Sequence, residues 1–128
     1  MSYYFSKTLN VNFENAINKV TESLKNEGFG ILTEIDMKAT LKKKLDVDML
    51  NYTILGACNP PFAYKAVLAE NMIGTMLPCN VVVQEQKDGS IIVAAVDPVA
   101  SMMAIKNETL GEVANEVRMK LKKAIDNL

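Results

Sequence analysis

Two cysteine–asparagine pairs, Cys58-Asn59 and Cys79-Asn80, are the residues of this chain best suited to chemistry. A thiol just before a helix N-terminus meets partial positive charge, which favours the reactive thiolate. Cys58 has that placement. Asn59-Pro60-Pro61 follows it as a helix start, an asparagine cap and then proline where a missing N–H costs nothing. Asn59 and Asn80 can hydrogen-bond a ligand or satisfy exposed backbone groups. Asp36 and Asp97 add two carboxylates, each also readable as a helix N-cap. On the functional reading these six residues form a polar pocket with thiols at one end of a sheet. On the structural reading the asparagines lock strand ends, the aspartates cap helices and the cysteines fill core.

The rest of the composition narrows the chemistry. Histidine is absent, which removes Ser-His-Asp and Cys-His catalysis and histidine-based zinc or iron sites. A general acid or base must then be a carboxylate, lysine, tyrosine or thiolate. Two cysteines cannot close a four-thiolate zinc site within one chain, although a symmetric dimer could supply four thiolates. No metal site and no cofactor is expected. The sequence has no CxxC motif, no GxGxxG and no GxxxxGK. With 14 basic and 15 acidic side chains and a pI near 5.5, it lacks the positive charge that nucleic-acid binders need. The lysines at 42–44 and at 120, 122 and 123 read as solvated helix faces.

The chain has 128 residues, 49% of them hydrophobic, enough for one domain over 1–128 with its own core. Its longest apolar run, Ile91 to Val96, is strand-sized and far short of a membrane span. The first residues lack the basic and apolar regions of an export signal, so the expected location is the cytoplasm.

Hydrophobic spacing supplies the elements that would position the candidate residues. Tyr3 to Leu9 reads as a first strand. Asn12 caps a helix carrying Phe13, Ala16, Ile17, Val20 and Leu24, with Gly28 just beyond its end. Phe29 to Ile35 reads as a second strand with Phe29, Ile31, Thr33 and Ile35 on one face. Asp36 caps a short helix with Met37, Leu41 and Leu45 on one side. Tyr52 to Cys58 is a third strand, in which Gly56 marks a bulge or a close backbone approach. A helix spaced on Ala63, Ala66, Val67 and Glu70 runs to about Asn71, and Met72 to Pro78 reads as a connection. Asn80 to Gln86 and Ser90 to Val96 form a hairpin around Lys87-Asp88-Gly89. Asp97-Pro98 opens a helical turn through Met103. From Asn107, a long closing helix presents Leu110, Val113, Val117, Leu121 and Ile125.

The order β-α-β-(α)-β-α-β-β-α predicts an α+β fold: a mostly antiparallel sheet of about five strands with two long helices on one face. The hairpin strands are apolar on both faces, where a strand open to water should alternate. Their second face is therefore expected to be covered, by the short helices or by a second subunit. The eight methionines suit adaptable packing at such a surface.

Gly56-Ala-Cys-Asn-Pro-Pro61, Leu77-Pro-Cys-Asn-Val81, Asp97-Pro98, Thr33-Glu-Ile-Asp36 and the lysines before Leu45 together resemble the domain of unknown function 302 family. The resemblance runs in order over nearly the whole chain. It implies a small bacterial or archaeal α+β protein of the TATA-binding-protein-like fold group, commonly a homodimer, with no DNA-binding implication. It implies no activity or catalytic residue. Where many relatives carry histidine after the Pro-Pro pair, this chain has Tyr64. The expected function is a dimeric, non-enzymatic module that binds a small ligand, a metal or a partner. The alternative is a thiol-dependent enzyme or redox sensor using Cys58 and Cys79. Antiparallel neighbours in the implied fold would bring both Cys-Asn pairs to one sheet end, their Cα atoms within roughly 10 Å and the thiols reduced.

Overall fold

The computed structural model describes residues 2–128. In chain order the elements are β1 (Tyr4–Leu9), α1 (Phe13–Asn26), β2 (Gly30–Asp36), α2 (Met37–Leu45), β3 (Tyr52–Cys58) and α3 (Pro60–Ala69). A 3-10 turn (Asn71–Met76) follows, then β4 (Cys79–Glu85), β5 (Ile91–Val96), α4 (Pro98–Ser101) and α5 (Glu108–Asp126). The five strands form one sheet in the order β1-β5-β4-β3-β2, and every neighbouring pair is antiparallel. The α+β architecture predicted by the spacing is the one found.

Local chemistry explains most boundaries. Asn12 accepts a hydrogen bond from the Asn15 N–H at 2.8 Å and Asn107 accepts one from Leu110, so both long helices begin where a side chain satisfies a free donor. The β4–β5 turn closes through Gly89, whose φ of +87° is strained for any residue with a Cβ. The Asp88 carboxylate accepts from the Ser90 N–H across that turn.

Alternation then sorts the central strands. Val81, Val83, Ile91, Val93 and Ala95 are buried against α1 and α5, which supply Val20, Leu24, Leu110, Val117, Leu121 and Ile125 to the same core. Val82, Ile92, Ala94 and Val96 alternate with them onto the opposite face and remain half-buried. The short helix α2 packs beside β2 and β3 and buries none of its residues. Among the described residues no helix is long and apolar enough to cross a membrane.

Three local readings of the sequence are corrected. Phe29, Ile31, Thr33 and Ile35 do not share one face. The register shifts between Ile31 and Thr33, so Ile31 lies opposite Ala57 on the helix side while Thr33 and Ile35 lie opposite Gly56 and Ile54 on the other. Val67 is exposed, and Ala66 is the buried residue of α3, because this helix meets the core along a narrow alanine stripe. The segment after α3 is more than a connection. Its 3-10 turn carries Ile73, which is fully buried, as an anchor for the return to β4.

The bulge explains Gly56. A Cβ there would overlap Thr33 Oγ1 and lie 2.7 Å from Pro78 Cγ, and neither a β-branched residue nor a proline ring can turn away. Gly56→Ala should therefore destabilise the protein by about 1–3 kcal/mol, the usual overpacking cost. Gly111→Ala, in open space on α5, should stabilise it by about 0.4–1 kcal/mol. Urea melts check both. Equal effects would mean that the β2–β3 contact is not closely packed.

Candidate functional site

The antiparallel register of β3 and β4 places Ala57 opposite Cys79. Cys58 is thus the diagonal neighbour of Cys79. With strands about 4.8 Å apart and a rise of about 3.3 Å per residue, their Cα atoms lie roughly 6 Å apart. Both thiols are free. The helix excursion from Pro60 and its return through the 3-10 turn bring the second Cys-Asn pair to the end of the sheet where the first one stops.

At that end the sheet and its helices do not close completely. A cavity of about 300 Å³ lies between the strand ends and helices α3 and α5. Ala57 and Cys79 form its floor, Ala63 and Ala66 its α3 side, and Leu110, Val113, Ala114 and Val117 its α5 side. Phe29 and Met102 close it laterally. The space has a simple origin. Four of the facing positions are alanine, and helix and strand backbones cannot approach far enough to replace the missing side-chain volume. Half-buried Cys58, Phe62, Leu77 and Pro78 and the exposed Leu32 mark its open side.

The six candidate residues separate on this geometry. Cys79 is buried and faces the cavity, where burial, with the nearby Cys58 adding to it, pushes its thiol up to about 11. It is a protonated, weakly polar wall at physiological pH. Cys58 stands half-exposed at the opening. Asn59 occupies the N-cap position of α3, yet its side chain caps nothing. Its Nδ2 instead donates to the Glu27 carbonyl at 3.1 Å, tying the end of α1 to the start of α3. Gly28, with φ at +88°, lies against that amide, and a Cβ there would come within 3.0 Å of Nδ2.

Asp97 reaches the same end of the sheet and is buried. It caps α4 by accepting from the Val99 N–H at 3.0 Å, and its second oxygen accepts from Arg118 Nε at 3.1 Å. The Arg118 guanidinium also lies over the Phe5 ring. Pro98, next in the chain, lines the cavity, but the Asp97 carboxylate is fully occupied as a joint between β5, α4 and α5. Asn80 alternates away from Cys79 onto the opposite sheet face, beside Tyr52, Val82 and Gln84. Asp36 caps α2 through the Ala39 N–H at 2.9 Å. Six residues of β2 separate it from the level of Cys58, roughly 20 Å. The cavity therefore gathers Cys58, Asn59 and Cys79, with Asp97 behind its wall and Asn80 and Asp36 elsewhere.

Among the side chains that shape the cavity, the sequence spacing places Ala63, Ala66, Leu110, Val113 and Val117 on helix faces and marks neither Ala57 nor Ala114. A run of inward-facing alanines on α3, followed by Ala114 amid the large residues of α5, was the available signal. Among the described residues, no charged side chain lines the space. Among the described residues, no group of three or more Cys, Asp or Glu is placed to hold a metal ion. The site offers an apolar, size-limited volume with one thiol in its floor and a second thiol and one amide at its rim. It offers no acid–base pair.

Comparison with known proteins gives a consistent frame. A family described as Domain of unknown function DUF302 matches residues 5–128. No curated protein matches the chain. Among solved structures, the chain is similar to the uncharacterized conserved protein DUF302 from Bacillus stearothermophilus, at 25% identity and a TM-score of 0.90, covering 98% of each chain.

The two thiols should behave differently. At pH 8 an aromatic disulfide reagent should titrate one thiol per chain, and Cys58→Ser should abolish that reaction. The second thiol should react only on denaturation or as the pH approaches 11. Because the unfolded state gives up the Cys79 proton first, stability should fall as pH rises from about 9 to 11. Cys79→Ala should flatten that fall in melts run across the range.

Proposed function

The chain belongs to the domain of unknown function DUF302 family, and we propose that it serves there as a homodimeric, non-enzymatic module that holds a small apolar molecule under α3 and α5. The observation that carries this reading is the cavity. At about 300 Å³ it falls at the lower end of the range for small-molecule sites, and its lining is apolar with few polar groups at the rim. A protonated Cys79 and the absence of histidine leave no base to activate a thiolate inside it, which weighs against the thiol-enzyme reading. Two unpaired cysteines suit a reducing cytoplasm as the place of work.

The second copy belongs on the sheet face opposite the helices. Ile54, Val82, Ile92, Ala94 and Val96 stand there half-buried, bordered by Tyr4, Tyr52, Asn80 and Gln84, without a charged residue among them. Five strands about 4.8 Å apart and six residues long make a face roughly 24 by 20 Å. With side-chain relief, that approaches the scale of one side of a specific interface, about 800 Å². A two-fold axis through the sheet would pair this face with itself and give Asn80 a buried role.

Light scattering at micromolar concentration should give twice the 14.1 kDa chain mass, and Val82→Lys should reduce it to the single mass. A wild-type monomer would refute the dimer. For the cavity, a neutral naphthalene dye should bind and gain fluorescence. Ala114→Leu should abolish that binding while changing stability by less than about 1 kcal/mol, since the larger side chain enters existing space. Unchanged dye binding in this variant would refute the cavity as the site.

A further inference from the structure

The rim of the cavity carries a charge pattern that narrows the ligand class. Phe62 belongs both to the cavity wall and to the groove running outward between α3 and α5. Two ammonium groups lie near its ring, Lys65 Nζ at 5.4 Å and Lys120 Nζ at 6.0 Å from the centroid. They come from different helices, so only the packing of α3 on α5 brings them together. Among the described residues neither is engaged in an ion pair, whereas Lys42, Lys122, Lys123 and Arg118 are. Glu112 and Glu116 line the same groove and oppose an anion there.

Resting on the cavity reading above, we infer that the ligand is an amphiphilic monocarboxylate of medium chain length, its tail in the cavity and its carboxylate between Lys65 and Lys120. The tail length follows from volume. A cavity of about 150 Å³ lined by aliphatic and aromatic side chains takes up benzene, so about 300 Å³ accommodates roughly twelve carbon atoms. The head follows from charge. No side chain inside the cavity can neutralise a buried carboxylate, so the anionic end must stop at the rim. Two cations outside any ion pair among the described residues lie over Phe62, a residue of the cavity wall. A second negative charge on the ligand would find only Glu112 and Glu116.

The test compares decanoate with 1-decanol, which share a tail, by displacement of the naphthalene dye from the full chain. Decanoate should bind about tenfold more tightly than decanol at low salt, and the advantage should shrink as salt rises. In the Lys65→Gln/Lys120→Gln double variant decanoate should fall to the level of decanol, with decanol unchanged. Glu112→Gln should tighten decanoate alone. Equal binding of the two by the wild type, or a double variant that keeps the preference, would overturn the ligand class and leave the cavity standing. Failure of both to displace the dye would overturn the cavity reading and this inference with it. A Tm for the double variant within a few degrees of the wild type keeps the comparison free of folding effects.

Discussion

A five-stranded sheet is wider than two helices can cover, and much of this protein follows from that mismatch. Strands about 4.8 Å apart make a layer roughly 24 Å across, whereas packed helices sit about 8–10 Å apart. The long helices α1 and α5 cover the central strands, and Val81, Val83, Val93 and Ala95 are sealed beneath them. The end of the sheet at Ala57 and Cys79 must be roofed by something else. The chain sends α3 out from β3 for this purpose and brings it back through a 3-10 turn anchored by Ile73. Because α3 meets the core through alanines, the roof stands away from the floor, and the cavity is what remains.

The polar residues around that cavity serve this construction. Asn59 holds α1 and α3 together through one hydrogen bond to the Glu27 carbonyl, and Gly28 lacks a side chain where that amide must pass. Asp97 joins β5, α4 and α5 by capping one helix and receiving Arg118 from another. A buried carboxylate with these donors is satisfied, and removing either partner would leave charge in a poorly solvated place. The Asp97 carboxylate is thus consumed by architecture. What stays open is apolar volume, one accessible thiol and the lysines over Phe62.

Because α1 and α5 pack on one side of the sheet, neither covers the second face over β4 and β5. Ile92, Ala94 and Val96 are too apolar for water and too few to act as a core by themselves. A solved DUF302 structure shares this fold over 98% of both chains, so the placement of the helices on the sheet belongs to the fold rather than to this sequence alone. On the function proposed above, one face encloses a small volume and the other receives a second copy.

The sequence by itself determined whatever depends on neighbours along the chain. Asn12, Asn107, Asp36 and Asp97 announce helix starts because capping is local, and the Lys87-Asp88-Gly89 turn announces its hairpin for the same reason. The helical spacing of α5 marked its core face, since periodicity says which side of an amphipathic helix is inward. The hairpin strands, apolar on both faces, carried no such signal. Only the tertiary structure decided the rest. The bulge at Leu32 moved Thr33 and Ile35 to the other face, a one-residue event that alternation cannot register. Asn59 exchanged its cap for Glu27, which no sequence distance relates to it. Cys79 and Asn80, adjacent in the chain, were sent to opposite faces by the pleat, so a pair that reads as one motif became a cavity wall and a surface residue. The cavity was the least legible feature, because missing volume is a property of how backbones pack and has no residue of its own.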